Sequence, residues 1–187
     1  MKFKNNIQTS EAEFNQSETM TFSSLDIDYL KKKTQNSPRN RYRICLHYST
    51  DHRTQEMIIC LKGFNYFRPH KHAQGCSESY HMLEGALDIY FFDDNGKVIN
   101  VVKLASPNFK NKENRDVIYR LSASLYHLVI PRTEWTIFHE VSTGPFNKNN
   151  FTKLASFAPT EDSDSKKIIE YCNKVTNNNI YLLQDSN

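Results

Sequence analysis

Between Arg41 and Val141 the sequence breaks into short apolar or alternating runs, each bounded by turn residues. In Arg41-Tyr42-Arg43-Ile44-Cys45-Leu46-His47 the period is two, with Arg41, Arg43, Cys45 and His47 on one face and Tyr42, Ile44 and Leu46 on the other. Ser49 to Arg53 is a polar turn, and Glu56 to Leu61 is apolar on both faces before Gly63 closes it. Ala86 to Phe92 is rich in aromatic and β-branched residues, the types that fit a pleated sheet. Asn95-Gly96 favours the positive φ of a tight hairpin, so Val98 to Leu104 should return beside it. After a polar loop over 106–116, further strands are expected at Val117–Leu121, Leu125–Ile130 and Trp135–Val141, ended by Thr143-Gly144-Pro145. Many short strands with turns between them predict an all-β sandwich or barrel of antiparallel strands.

The flanks read differently. Residues 1–22 are polar without a period and are expected to be mobile or loosely draped. A short helix should follow through Leu30 and Lys31-Lys32-Lys33, with Ser24 as N-cap and Asn36-Ser37-Pro38 as its end. Beyond Phe146 only Ser163 to Lys174 is periodic, as an amphipathic helix with Ile168, Ile169 and Cys172 inward; the last dozen residues should fray. The expected organisation is an extension with a short helix over 1–36, one barrel over 37–160, and a helix and tail over 161–187.

Charge and composition narrow the function classes. The net charge is only +3, and the lysines and arginines are scattered, which argues against nucleic acid as a partner. No apolar run approaches the roughly 18 residues that cross a bilayer, and the first residues lack a signal-peptide pattern, so a cytoplasmic protein without membrane partners is expected. Cys45, Cys60, Cys76 and Cys172 form no C-x-x-C pair and should be reduced thiols.

Chemistry concentrates in Arg68-Pro69-His70-Lys71-His72 and the residues up to Gly85. Residues two apart on a strand share a face, so His70 and His72 present two imidazoles together. Gly75 can make a turn that brings Glu78 back beside them on the next strand, pointing inward with Tyr80 and Met82. Two imidazoles and a carboxylate form a common ligand set for zinc, manganese, iron or nickel. His81 is the substitute for Glu78, but its strand parity is opposite, so only one of the two can reach the ion.

These residues resemble the first motif of the cupin superfamily: a glycine, His-x-His, a glutamate, then six residues and a glycine. Gly63, His70, His72, Glu78 and Gly85 match it in order. The blocks RNRYRICLH, QEMIICL, FRPHKH, ESYHMLEG, FFDDNG, LYHLVI and FHEVSTGPF, spanning about 37–160, are similar to the WbuC family of cupin-fold metalloproteins. That resemblance implies a small antiparallel jelly-roll barrel with short helices at its ends and one bound divalent metal, with zinc the first choice and iron, manganese or nickel as alternatives. It also implies a setting among genes for surface-polysaccharide (O-antigen) synthesis. His127, in Leu125-Tyr126-His127-Leu128, stands where the second cupin motif supplies a further histidine. On its own it reads as a core histidine; beside the first motif it reads as the fourth ligand.

The implied function is metal-dependent chemistry on a sugar or sugar-nucleotide, such as isomerisation or epimerisation, with the metal as Lewis acid. Two alternatives use the same ligands: iron-dependent oxygen chemistry of the dioxygenase kind, and a non-catalytic module that binds a saccharide or small acid. Tyr80 and Tyr126 flank the ligands as pocket lining, and Arg68 could hold a carboxylate or phosphate. Arg43 could do the same but reads better as part of a surface salt bridge. His139 is balanced between the cavity and the core, and Cys76 reads as a loop thiol. Exposed sheet edges suggest a homodimer.

Overall fold

The computed structural model describes residue 3 and residues 6–110, 114–146 and 152–177. In chain order the elements are β1 (Ile7–Gln8), β2 (Ala12–Phe14), α1 (Ser24–Gln35), β3 (Arg41–Cys45), β4 (Thr54–Lys62), β5 (His70–His72) and β6 (Glu78–Glu84). There follow β7 (Ala86–Phe92), β8 (Val98–Ala105), β9 (Ile118–Leu121), β10 (Tyr126–Pro131), β11 (Trp135–Thr143), β12 (Thr152–Leu154) and α2 (Ser165–Thr176). They build two separate sheets, ordered β1-β2-β3-β4-β11-β6-β9 and β12-β5-β10-β7-β8. The sheets form a sandwich, and among the described residues no ladder closes them into the expected barrel.

The core explains why the strands read as they do. Between the sheets, Leu61 of β4, Tyr80 and Met82 of β6 and Phe138 of β11 meet Leu87, Ile89 and Phe91 of β7 and Val129 of β10. Tyr90 and Phe92 of β7 and Tyr126, Leu128 and Ile130 of β10 point the other way, where Ile168 and Cys172 of α2 cover them. Every residue of β7 is therefore buried, as in a strand covered on both faces. β4 is apolar on both faces for the same reason. Its Ile58 and Cys60 turn outward under α1, whose Leu30 packs on them with Tyr42, Ile44 and Ile137.

Both helices start at a side-chain cap. Asp26 Oδ2 accepts from the Ser23 backbone N–H at 2.7 Å, so the N-cap is Ser23, one residue before the expected Ser24. Asp164 accepts from the Lys166 N–H at 2.8 Å and shifts α2 slightly beyond its expected start. Ile168 and Cys172 are buried and Ile169 half-buried, as the amphipathic pattern requires. The expected fraying of the last dozen residues falls mostly on 178–187, outside the described residues.

Two expectations fail at the sheet edges. The polar N-terminal segment is not loosely draped: β2 joins β3 in parallel, with Ala12 opposite Arg43 and Phe14 opposite Cys45, so the sandwich is not purely antiparallel. Backbone pairing and buried polar contacts hold it, including Tyr29 Oη donating to Glu13 Oε2 at 2.9 Å, and neither leaves a hydrophobic period. The strand β12, where no strand was expected, pairs with β5 and sets Thr152 opposite His72. Its side chains are half-exposed or exposed, so it too carries no apolar signal. No described helix is long and apolar enough to cross a membrane, and all four cysteines are free thiols.

Candidate metal centre

β5 is short, and its neighbours decide what its histidines meet. It runs antiparallel to β10 with His70 directly opposite His127, so the two rings lie on one face of the sheet. The ring centroids are 4.4 Å apart, and His72 stands 5.3 Å from His70 and 5.4 Å from His127. One ligand nitrogen from each of the three can be chosen so that all lie within 4.8 Å of one another. Glu78 arrives from the facing sheet at the first position of β6. Its Oε2 is 3.0 Å from His72 Nε2, and its Oε1 is 3.2 Å from His127 Nε2. The structure thus brings together all four residues that the sequence nominated.

Hydrogen bonds around the cluster fix which atoms face its centre. The Nδ1–H of His70 donates to the Arg68 carbonyl at 3.2 Å, and that of His127 to the Leu125 carbonyl at 3.1 Å. Each ring then carries its lone pair on Nε2, as in a metal-binding histidine whose other nitrogen is held by a carbonyl. Glu78 is held in turn by the hydroxyls of Tyr80, donating to Oε2 at 3.2 Å, and Tyr119, donating to Oε1 at 3.0 Å.

Burial and neighbouring charge set the protonation states. Burial, then the nearby His127, pushes His70 down to about 3, so its ring is neutral at pH 7 and able to ligate. For Glu78 burial works upward, but His127, His72 and His70 outweigh it and hold the carboxylate well below its ordinary range. For His72 burial works downward and loses to the hydrogen bond and charge of Glu78, which leave it raised.

The donor set fits a divalent ion. His127 is fully buried, and its Nε2 makes no hydrogen bond although Glu78 Oε1 is close by. A buried nitrogen lone pair of this kind is costly unless something occupies it. Three imidazoles and one carboxylate are the donors that zinc and other first-row ions take.

A cavity of about 300 Å³ opens from this cluster between the sheets. Tyr80 lines it, as the sequence suggested. The other nominated pocket residues do not. Tyr126 lies on the opposite face of β10 from His127, in the outer cluster, because successive strand residues alternate. Arg68 instead donates from Nε to the Ala155 carbonyl at 2.8 Å, fastening the chain after β12 to the approach to β5. His139 lies on the outer face of β11, where its Nε2 is 3.0 Å from Glu56 Oε1 and its ring stacks edge-on with His81. Parity therefore selects Glu78 over His81. Cys76 is not among the cavity residues.

Two cavity residues, Glu140 and Arg43, and the core residue Tyr119 that holds Glu78 were missed or undervalued by sequence reasoning. Tyr119 sits in a short strand with no motif around it. Glu140 lines the cavity in one cross-strand row with Met57, Tyr80 and Tyr119. Burial and then the charge of Glu78 raise its carboxyl. The parity argument for β11, which allows only one of His139 and Glu140 into the cavity, was the available signal. Arg43, read as a surface ion pair, also lines the cavity.

Comparison with known proteins adds mainly to the fold. The model of a domain of unknown function, DUF6016, matches residues 22–104, a stretch that includes His70, His72 and Glu78 and ends before His127. No curated protein matches the chain. Among solved structures, the chain is similar to protein SO0799 from Shewanella oneidensis, with a TM-score of 0.51 at 10% identity, over 72% of this chain and 85% of that one. A cupin superfamily protein from Desulfitobacterium hafniense gives 0.40 at 14% identity, over 55% of this chain and 76% of that one. The capsular polysaccharide assembling protein CapF from Staphylococcus aureus gives 0.46 at 14% identity, over 58% and 30%. At 10% identity the likeness to SO0799 is one of fold, over 72% of this chain.

Proposed function

We propose that this chain is a divalent-metal-binding protein of the cupin kind, close to the WbuC family, that acts on a saccharide in surface-polysaccharide assembly. One observation carries the reading: His70, His72 and His127 converge at the buried end of an open cavity, with Glu78 against two of them. These four residues would hold the ion, and the donor set favours zinc while also suiting iron, manganese or nickel. A divalent ion there would supply Lewis-acid polarisation of a sugar hydroxyl or carbonyl oxygen. The residues around it have separable tasks. Tyr80 and Tyr119 keep the Glu78 carboxylate in place, and the backbone carbonyls of Arg68 and Leu125 set the tautomers of His70 and His127. Glu140 faces the cavity beside them and is the carboxyl group placed to take or return a proton.

The deciding experiment is elemental analysis of protein purified without added metal, beside a His70→Ala/His72→Ala double variant. Stoichiometric metal in the parent and none in the variant supports the reading, and zinc, manganese or nickel favours sugar chemistry over oxygen chemistry. A parent that is metal-free and takes up no added ion rejects it.

A further inference from the structure

The metal centre leaves one charged side chain of the cavity without a task. Arg43 is exposed at the cavity's open side, yet among the described residues its guanidinium makes no ion pair or hydrogen bond. Its neighbour two residues back behaves otherwise. Arg41 donates to Glu161 at 3.0 Å, lies 3.6 Å from Glu11 and stacks its guanidinium over Phe67 at 4.3 Å. Glu11 is taken up further by Arg39. The two arginines share a strand face, so sequence pattern does not separate them; their partners do.

The placement of Arg43 follows from register. It lies opposite Ile59 on β4, which lies opposite Phe138 on β11, and all three face the other sheet. It therefore stands on the same inner surface as Glu78, across the cavity floor from the histidines. Glu140 also lines that floor and its carboxyl feels the Arg43 charge, which works against burial and Glu78, but among the described residues no ion pair joins the two side chains. A guanidinium presents a planar fork of donors matched to the paired oxygens of a carboxylate or phosphate.

We propose that Arg43 is the anion-binding residue of this cavity, so that the ligand of the metal centre carries a carboxylate or phosphate group. This rests on the metal-centre reading above and narrows its substrate class to an acidic or phosphorylated sugar. The cavity volume, about 300 Å³, is at the small end for ligand pockets, so one sugar ring with its anionic group fits the space better than an entire sugar-nucleotide.

The test is calorimetric titration of the full chain, supplied with zinc, using glucose, glucuronate, glucose 6-phosphate and inorganic phosphate as probes. The parent is compared with Arg43→Gln, Arg43→Lys and, as control, Arg120→Gln, an exposed arginine outside the cavity. At least one anionic probe should bind about tenfold or more tighter than glucose, the gain expected of a charge-assisted contact. Arg43→Gln should erase that difference, Arg43→Lys should keep part of it, and Arg120→Gln should keep all of it. Glucuronate and glucose 6-phosphate separate a carboxylate site from a phosphate site. Inorganic phosphate binding as tightly as glucose 6-phosphate still supports the anion site and rejects a contribution from the sugar. The proposal is overturned if no probe binds, if glucose matches every anion, or if Arg43→Gln retains the preference. Zinc content is measured on each sample. A parent that takes up neither zinc nor added iron, manganese or nickel rejects the metal-centre reading, while its anion preference still decides the role of Arg43.

Discussion

His127 sits directly across the β5–β10 ladder from His70, with the two rings 4.4 Å apart. That pairing turns a His-x-His strand into a three-histidine cluster, because β10 delivers its imidazole at the one register position that faces His70. Replacement of His127 by alanine should therefore abolish stoichiometric metal while leaving the β5–β10 backbone pairing intact. Elemental analysis with far-ultraviolet circular dichroism checks both halves. Full metal content in His127→Ala would remove His127 from the ligand set.

Tyr119 offers a gentler test of the same centre. Its hydroxyl donates to Glu78 Oε1 from a ring otherwise packed in the core, so Tyr119→Phe deletes one hydrogen bond and little else. Loss of an outer partner of this kind lowers metal affinity by about 10- to 100-fold. Competition with a metal chelator reads the change, and the thermal midpoint of the metal-free protein should move little. An unchanged affinity would show that Tyr80 alone suffices to orient the carboxylate.

The same residues show what the sequence could reveal. His70, His72 and Glu78 were legible because strand parity is a local rule and all three lie close together in the sequence, on two strands joined by one short turn. His127 needed the family resemblance, since its approach to His70 depends on which strands become neighbours. The failures share that cause. Tyr126 is adjacent to His127 in sequence and so faces away from it, and Arg68 is claimed by a carbonyl 87 residues further on. β2 and β12 were invisible because such short strands at the margins of the sheets hold by backbone pairing and need no apolar period. Both helices were found, since their caps and periods are local.

Asp88 tests the outer architecture. Its side chain is 4% exposed, and it binds Arg115 Nη1 at 2.9 Å and Arg132 Nε at 2.7 Å, tying β7 to the loop before β9 and to the end of β10. Removing one member of a buried ionic cluster strands its partners, and here both arginines retain some access to water. Asp88→Ala should therefore lose about 3 kcal/mol of stability, at the low end for buried pairs. Urea denaturation measures it, and a loss near zero would mean that water replaces the carboxylate.

Backbone geometry at Gly85 gives a prediction independent of any metal. Gly85 joins β6 to β7 at φ +74°, and a Cβ there would run into the Trp135 carbonyl oxygen and Thr133 Oγ1. The left-handed backbone alone disfavours a side chain by about 1 kcal/mol or more, and the collision with a fixed carbonyl adds to it. Gly85→Ala should lower the thermal midpoint clearly, whereas Gly75→Ala, with the same sign of φ and open space around it, should lower it less. Equal effects at the two positions would mean that β11 gives way.

Glu13 makes the N-terminal strands pH-sensitive. It is fully buried, and burial raises its carboxyl above the ordinary value against the opposing pull of the Tyr29 hydroxyl and Lys33. The folded state thus holds the proton more tightly than the unfolded chain. The stabilisation this gives is complete below the unfolded carboxyl pKa, near 4.5, and is lost as pH rises through the higher folded value. Glu13→Gln keeps an acceptor for Tyr29 and removes the charge, so it should stabilise the protein at neutral pH and have little effect in mild acid. Urea midpoints of parent and variant across that range decide it. A variant that is less stable at pH 7 would show that the ionised carboxylate is the form the strand requires.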